Sequence, residues 1–234
     1  MRDVRMRGFR HRTSVDEATA ILERRTHALA AEEVPVTEAC GRVAADDLRA
    51  RVSVPHFDRA AMDGYAVFGE ATIGASAEAP IELVVIGDAR PGHPFERDVL
   101  AGQCVCITTG APMPTSTNAV VMAEDAEEVS LDGVRIARVV ASSAPGRHVG
   151  HIGEDVVAGA LVVRRGRKLR AQDAGLLASV GVARVPVFRR PTVRILITGD
   201  ELLPPGAVPD GARIVDSNSV TLSALARRDG AAAV

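Results

Sequence analysis

The sequence lacks any window of 18 uninterrupted apolar residues, and its basic start, MRDVRMRGFRHRTS, lacks the apolar core of a secretion signal. Such a chain is expected neither to cross a membrane as a helix nor to be exported. Positive charge is not in excess either, since 28 Lys and Arg face 30 Asp and Glu for a net charge of −2. No global basic field exists to hold DNA or RNA, so nucleic acid is not an expected partner. Lysine is nearly missing, Lys168 standing alone among 28 cations. Because Arg and Ala are abundant throughout, that bias carries no functional weight. Cysteine is sparse and odd in number, at Cys40, Cys104 and Cys106. This argues against a disulfide framework and for a reducing, cytoplasmic location. The strand-like CVCIT places Cys104 and Cys106 on one face, with no His or further Cys nearby to complete a metal set. Both read as core cysteines.

What is present is enough for a folded protein: 234 residues, 47% hydrophobic, can bury one large core or two to three small ones. Ser14 followed three residues later by Glu17 is a capping-box pattern, and Val15, Ala18, Ile21, Leu22 and Leu29 share a face, predicting a helix over about 14–31. Residues 34–52 read as an extended arm. From 53 to about 141 short runs such as IELVVIG, CVCI and NAVVMAED alternate with turn residues, and Asp132-Gly133 joins two alternating runs as a hairpin. This stretch is expected to be a small all-β module. Residues 142–190 are mixed, with a helix in AQDAGLLASVG stopped by Gly181. After RRP, the run TVRILIT (192–198) predicts a strand buried on both faces of a parallel sheet. Asp216 or Ser217 then caps a helix over about 218–228, Gly230 stops it, and AAAV begins another strand. A single βα unit cannot complete a doubly wound sheet, so the chain is expected to stop inside a domain.

Four segments set acidic or hydroxyl residues beside glycine at strand ends: AMDGY (61–65), ITTGAPMP (107–114), GEDVVAG (153–159) and ITGDEL (197–202). Each taken alone reads equally as a turn, because Asp-Gly and Thr-Gly supply left-handed positions and local caps. The loop PHFDRAAMDGYAV poses this sharply, with Asp58 and Asp63 in a turn that on local grounds needs only Gly64. ITGDEL carries the most physical information: ligands of open α/β sheets bind past strand carboxyl ends, where Asp200 and Glu201 lie. Adjacent carboxylates can hold Mg²⁺, and the DSNS run (216–219) opens a helix whose N–H groups could face a phosphate.

In this order and spacing the segments resemble the molybdopterin molybdenumtransferases, whose eukaryotic relatives include the C-terminal domain of gephyrin. The resemblance rests on VPHFDRAAMDGYAV, RPGHPF, CITTGAPMPTSTNAVVMAED, GRHVGHIGEDVVAGALVVRRGRKL, AGLLASVGVARVPVFRRPTVRILITGDEL and IVDSNSVTLSALARRDGA, and covers nearly the whole chain from about residue 13. It implies a multidomain α/β and β protein. Residues 1–52 and 142–190 would form an elongated discontinuous α+β domain and 53–141 an inserted β module. Residues 191–234 would be the truncated start of a parallel α/β molybdopterin-binding domain. It further implies an enzyme, a transferase that inserts molybdenum from molybdate into adenylylated molybdopterin and releases AMP with Mg²⁺ assistance. The resemblance also implies a homodimer in which the β module of one subunit faces the α/β domain of the other. Molybdopterin adenylyltransferase is the partner it suggests.

Carried over by motif, Asp63, Asp155 and Glu201 match catalytic positions, and Thr109, Gly110, Asp216 and Asn218 match substrate-binding positions. Asp200 and Glu201 match the metal site. The chemistry suits these residue types, because releasing AMP from a phosphoanhydride-like bond needs charge stabilisation and positioning more than a strong nucleophile. The sequence departs from the family's usual FDNSAMDG at Arg59 and Ala60, where Arg59 is a candidate extra anion contact. The chain also ends before the family's later Gly-rich segments, so it is expected to have little activity alone. The alternative reading is a non-catalytic scaffold or dimerisation module that retains this fold.

Overall fold

A computed structural model describes residues 13–232. The basic start up to residue 12 and the last two residues of the expected AAAV strand lie outside them. In chain order the elements are α1 (Val15–Arg25), β1 (Ala31–Pro35), β2 (Leu48–Arg49), β3 (Arg59–Ala60), β4 (Gly64–Val67), β5 (Ile81–Ala89), β6 (Gln103–Ile107) and β7 (Ala119–Met122). They continue with β8 (Ala126–Leu131), β9 (Val134–Val139), β10 (Val149–Gly150), β11 (Leu161–Val163), α2 (Ala171–Ser179), β12 (Arg184–Phe188), β13 (Leu202–Leu203), β14 (Ile214–Val215) and α3 (Asn218–Arg228). Mixed sheets with few helices result, as expected for the β-rich part of the chain. Residues up to 48, 163–174 and from 183 onward form one compact unit, and 49–162 with 175–182 form a second. Residues 142–162, which the sequence reading joins to the first segment, lie here in the second unit.

In the first unit, the Glu17 amide donates to Ser14 Oγ at 3.1 Å and the Ser14 amide to Glu17 Oε2 at 2.9 Å, the reciprocal cap that starts α1. The helix stops at Arg25 rather than near 31. Residues 31–35 pair instead with β12, from Ala31 opposite Phe188 to Pro35 opposite Arg184, so tertiary pairing overrides helical periodicity. At the other end, the run 192–198 forms no strand, and Leu196 is 80% exposed where burial on both faces was expected. A parallel strand needs hydrogen-bonded neighbours, and the parallel pairing described here is the two-residue pair β13–β14. The α3 helix does form, and Gly230, at φ +112°, follows its end as expected.

The second unit is built on a six-stranded sheet in the order β7-β4-β6-β5-β9-β8, antiparallel except for the β5–β6 pair. Its hairpin turn is the predicted one: Asp132 and Gly133 both have positive φ, 49° and 80°, as a two-residue turn matched to strand twist requires. All four residues of the central strand β4 are buried. Tyr65 and Val67 pack on one side with Leu83, Val85, Cys104 and Val121, and Ala66 on the other with Val105, Ile107 and Val120. Each fully buried valine contributes roughly 1.5–3 kcal/mol relative to exposure. The sheet curls strongly, because Tyr65 Oη on β4 donates to Glu128 Oε2 on β8 at 2.9 Å although three strands separate them in the sheet order. Arg135 ties this end together, reaching Glu128 at 2.8 Å and Asp88 at 3.1 Å. Burial, then the Glu128 hydrogen bond, raises the Tyr65 pKa and keeps the phenol a donor.

Cys104 and Cys106 share the inner face of this sheet, as the sequence predicts. Burial pushes the Cys104 thiol up to about 12, and Cys106 is raised for the same leading reason. Cys40 is exposed. In the native protein at pH 8, Cys40 is expected to be alkylated by iodoacetamide at least about 100-fold faster than Cys104. Peptide mass spectrometry of a labelling time course reads this directly, and equal rates would show that the sheet opens on that timescale.

Candidate functional site

The opening loop becomes a site because β3 holds it from two directions. Its Ala60 amide donates to Ala111 O at 2.9 Å, and the Gly110 amide returns a bond to Ala60 O at 2.8 Å. On its other side β3 pairs with β10, Ala60 opposite Val149 and Arg59 opposite Gly150. The AMDGY, TTGAP and GED segments therefore meet on one face of the second unit. There Asp63 Oδ1 accepts from the Thr109 amide at 2.6 Å and from Thr109 Oγ1 at 2.8 Å. These bonds, the backbone one first, lower the Asp63 pKa and hold it as a carboxylate. Both bonds land on Oδ1, while Oδ2 makes none to the described residues. Asp63 and Thr109 are exposed, and Gly110, at φ +83°, shapes the turn beside them.

Asp155 also reaches this face, where its Oδ2 lies 3.6 Å from the Arg59 guanidinium. Arg59, a candidate free anion contact by sequence, is engaged by Glu154 at 2.9 Å as well. The structure adds residues that motif reading passed over. Asp58 Oδ1 accepts from the Ile152 amide at 2.9 Å, and its Oδ2 lies 3.6 Å from His151 Nδ1. His148 adopts φ +57°, a left-handed conformation rare for a non-glycine residue. Thr108 Oγ1 is buried without a partner. The second carboxylate of the PHFDRAAMDG loop was the available signal for Asp58. Nothing local points to His151, whose role depends on the β3–β10 pairing.

The remaining predicted residues lie in the first unit. Glu201, Asp216 and Asn218 line an open cavity of about 390 Å³ with Thr198 and Ser217, whereas Asp200 is exposed and is not part of the lining. Asp216 is depressed by Ser219, through its side chain first and its backbone N–H second. The Ser219 amide donates to Asp216 Oδ1 at 2.9 Å, so Asp216 rather than Ser217 supplies the side-chain cap of α3. One of the helix N–H groups considered for a phosphate is thus already satisfied by this carboxylate. Two carboxylates and an amide are the hard oxygen donors that suit Mg²⁺. Among the described residues no three His, Cys, Asp or Glu side chains converge on one point. No helix among them is long and apolar enough to cross a membrane.

An outward carboxylate on a hydroxyl-bearing turn, braced by a second acidic loop, defines a binding face on a β module of the MoeA type. Residues 13–181 match the family model for the MoeA N-terminal region, domains I and II, and the chain belongs to that family. Molybdopterin molybdenumtransferase 2 of Mycobacterium tuberculosis is 39% identical over 224 residues, covering 94% of this chain and 54% of the relative. The molybdopterin molybdenumtransferase of Haemophilus influenzae is 33% identical over 91% of this chain and 51% of its own. The crystal structure of a molybdopterin biosynthesis MoeA protein from Pyrococcus horikosii superposes with a TM-score of 0.81 at 33% identity, over 95% of this chain and 56% of that one. The chain thus spans about half the length of the curated relatives it matches.

Proposed function

We propose that the chain serves molybdenum cofactor biosynthesis, as part of a transferase that inserts molybdate-derived molybdenum into adenylylated molybdopterin and releases AMP. The observation that carries this reading is the Asp63–Thr109 pair, a carboxylate fixed through one oxygen with the other turned to no protein group. Asp63 and Asp155 orient the reacting oxyanion and handle protons, while Thr109 and Gly110 bind its oxygens. Asp216 and Asn218 hold the nucleotide end of the substrate, and Glu201, with Asp200 on the same turn, holds Mg²⁺ against its phosphates. When bound, Mg²⁺ neutralises charge that develops on those phosphate oxygens. The two groups of residues would act together in a homodimer, each copy presenting its Asp63 face to the other's acidic cavity. Molybdopterin adenylyltransferase is the class of enzyme that supplies the substrate, and three free cysteines support a reducing, cytoplasmic setting.

Isothermal titration of the chain with adenylylated molybdopterin and Mg²⁺ tests the reading. Saturable binding is expected, weakened about tenfold or more by Asp216→Ala, with AMP release after molybdate addition far slower than in a relative of full length. Binding that is absent, or that Asp216→Ala leaves unchanged, would leave the scaffold reading in its place.

A further inference from the structure

A second cavity, of about 100 Å³, lies in the first unit away from the acidic one, and it is basic: Arg42, Lys168, Arg189 and Arg190 line it together with Asp229. Its walls are fixed by backbone bonds, from the Leu169 amide to Arg42 O at 2.8 Å, Phe188 to Val43 O at 2.9 Å, and Ala232 to Pro191 O at 2.9 Å. The lone lysine of the chain thus sits beside three arginines.

The charges around this cavity are not balanced. Arg42 is held by the Glu32 carboxylate and by Phe188 O, and Asp229 is engaged by Arg228 at 2.8 Å. Among the described residues no carboxylate forms an ion pair with Lys168, Arg189 or Arg190. Arg42 is only 9% exposed, yet its Nε–H has no acceptor. A buried guanidinium N–H without a partner bears the full desolvation of a charged donor, and an anion in the cavity is the group that would relieve it. The excess of cations suits a dianion, and an arginine and lysine cluster supplies donors suited to phosphate oxygens.

We propose that this cavity binds a small tetrahedral oxyanion of the phosphate class, with Arg42 Nε, Lys168, Arg189 and Arg190 as its donors. Its volume fits the free ion, and a terminal phosphomonoester is the alternative source of the same group. The site is independent of the Asp63 face and of the reading built on it.

The test is titration of the chain with inorganic phosphate, and in parallel with glycerol 3-phosphate, followed by calorimetry and by the arginine Nε–Hε signals in ¹⁵N NMR spectra. One phosphate per chain is expected, with movement of the Arg42 Nε–Hε signal and an affinity that falls with added salt. The double substitution Arg189→Ala with Arg190→Ala, and separately Lys168→Ala, should each weaken binding about tenfold or more. These side chains are exposed, so the variants should fold, which far-UV circular dichroism checks. Glycerol 3-phosphate binding as tightly as phosphate would assign the site to a phosphomonoester, and weaker binding to the free ion. An Arg42 signal that stays in place at high phosphate, or an affinity untouched by both variants, would overturn the proposal.

Discussion

Replacing Gly64 by alanine is expected to unfold the β module. Gly64 opens the central strand β4 at φ +153°, and a Cβ placed there would lie 1.9 Å from Val121 O and 2.9 Å from the Ala123 nitrogen. Both neighbours are backbone, so no rotamer change relieves the overlap. Strand β7 would have to withdraw, losing the bond from the Ala123 amide to Asp63 O at 2.9 Å and the pairing of Gly64 with Met122. A loss of about 4 kcal/mol or more follows, comparable with the whole stability of a marginal domain. Urea denaturation followed by circular dichroism measures it. A cost below about 1 kcal/mol would show that β7 yields easily and that Gly64 is an ordinary turn residue.

Asp63→Asn is expected to do the opposite, sparing the fold and removing function. The side chain is exposed, and the Asn carbonyl oxygen still accepts both Thr109 bonds, so the melting temperature should move by only a few degrees. What disappears is the fixed negative charge. Under the proposed reaction, turnover falls at least about 100-fold when residues 13–181 of this chain replace the matching segment of the Mycobacterium tuberculosis relative. AMP release from adenylylated molybdopterin in that chimera, with and without the substitution, provides the comparison. Rates within about twofold would reduce Asp63 to a member of the turn. The two substitutions together separate a loop that needs Gly64 from a site that needs Asp63, a distinction adjacency in sequence hides.

The sequence determined by itself the features whose cause is local. The Ser14–Glu17 cap, the positive φ at Asp132 and Gly133, and the stop after α2 at Gly181, φ +82°, all appear where residue chemistry placed them. Each depends on sterics and hydrogen bonds within a few residues, which is why composition and spacing reveal it. The order of the Gly-adjacent motifs likewise carried the family. Tertiary structure decided what pairs with what. It ended α1 at Arg25 by drawing 31–35 against β12, and it left TVRILIT without a sheet to join. It also drew Asp63 to Thr109 across 46 residues, Arg59 to Glu154 across 95, and Asp58 to the Ile152 amide across 94. Those contacts depend on the register of β3 against β10 and of β4 against β6, and register is fixed only when both strands and the core beneath them are in place. So the sequence named Asp63 as a candidate, and the paired strands decided that its carboxylate is held by Thr109 on the surface.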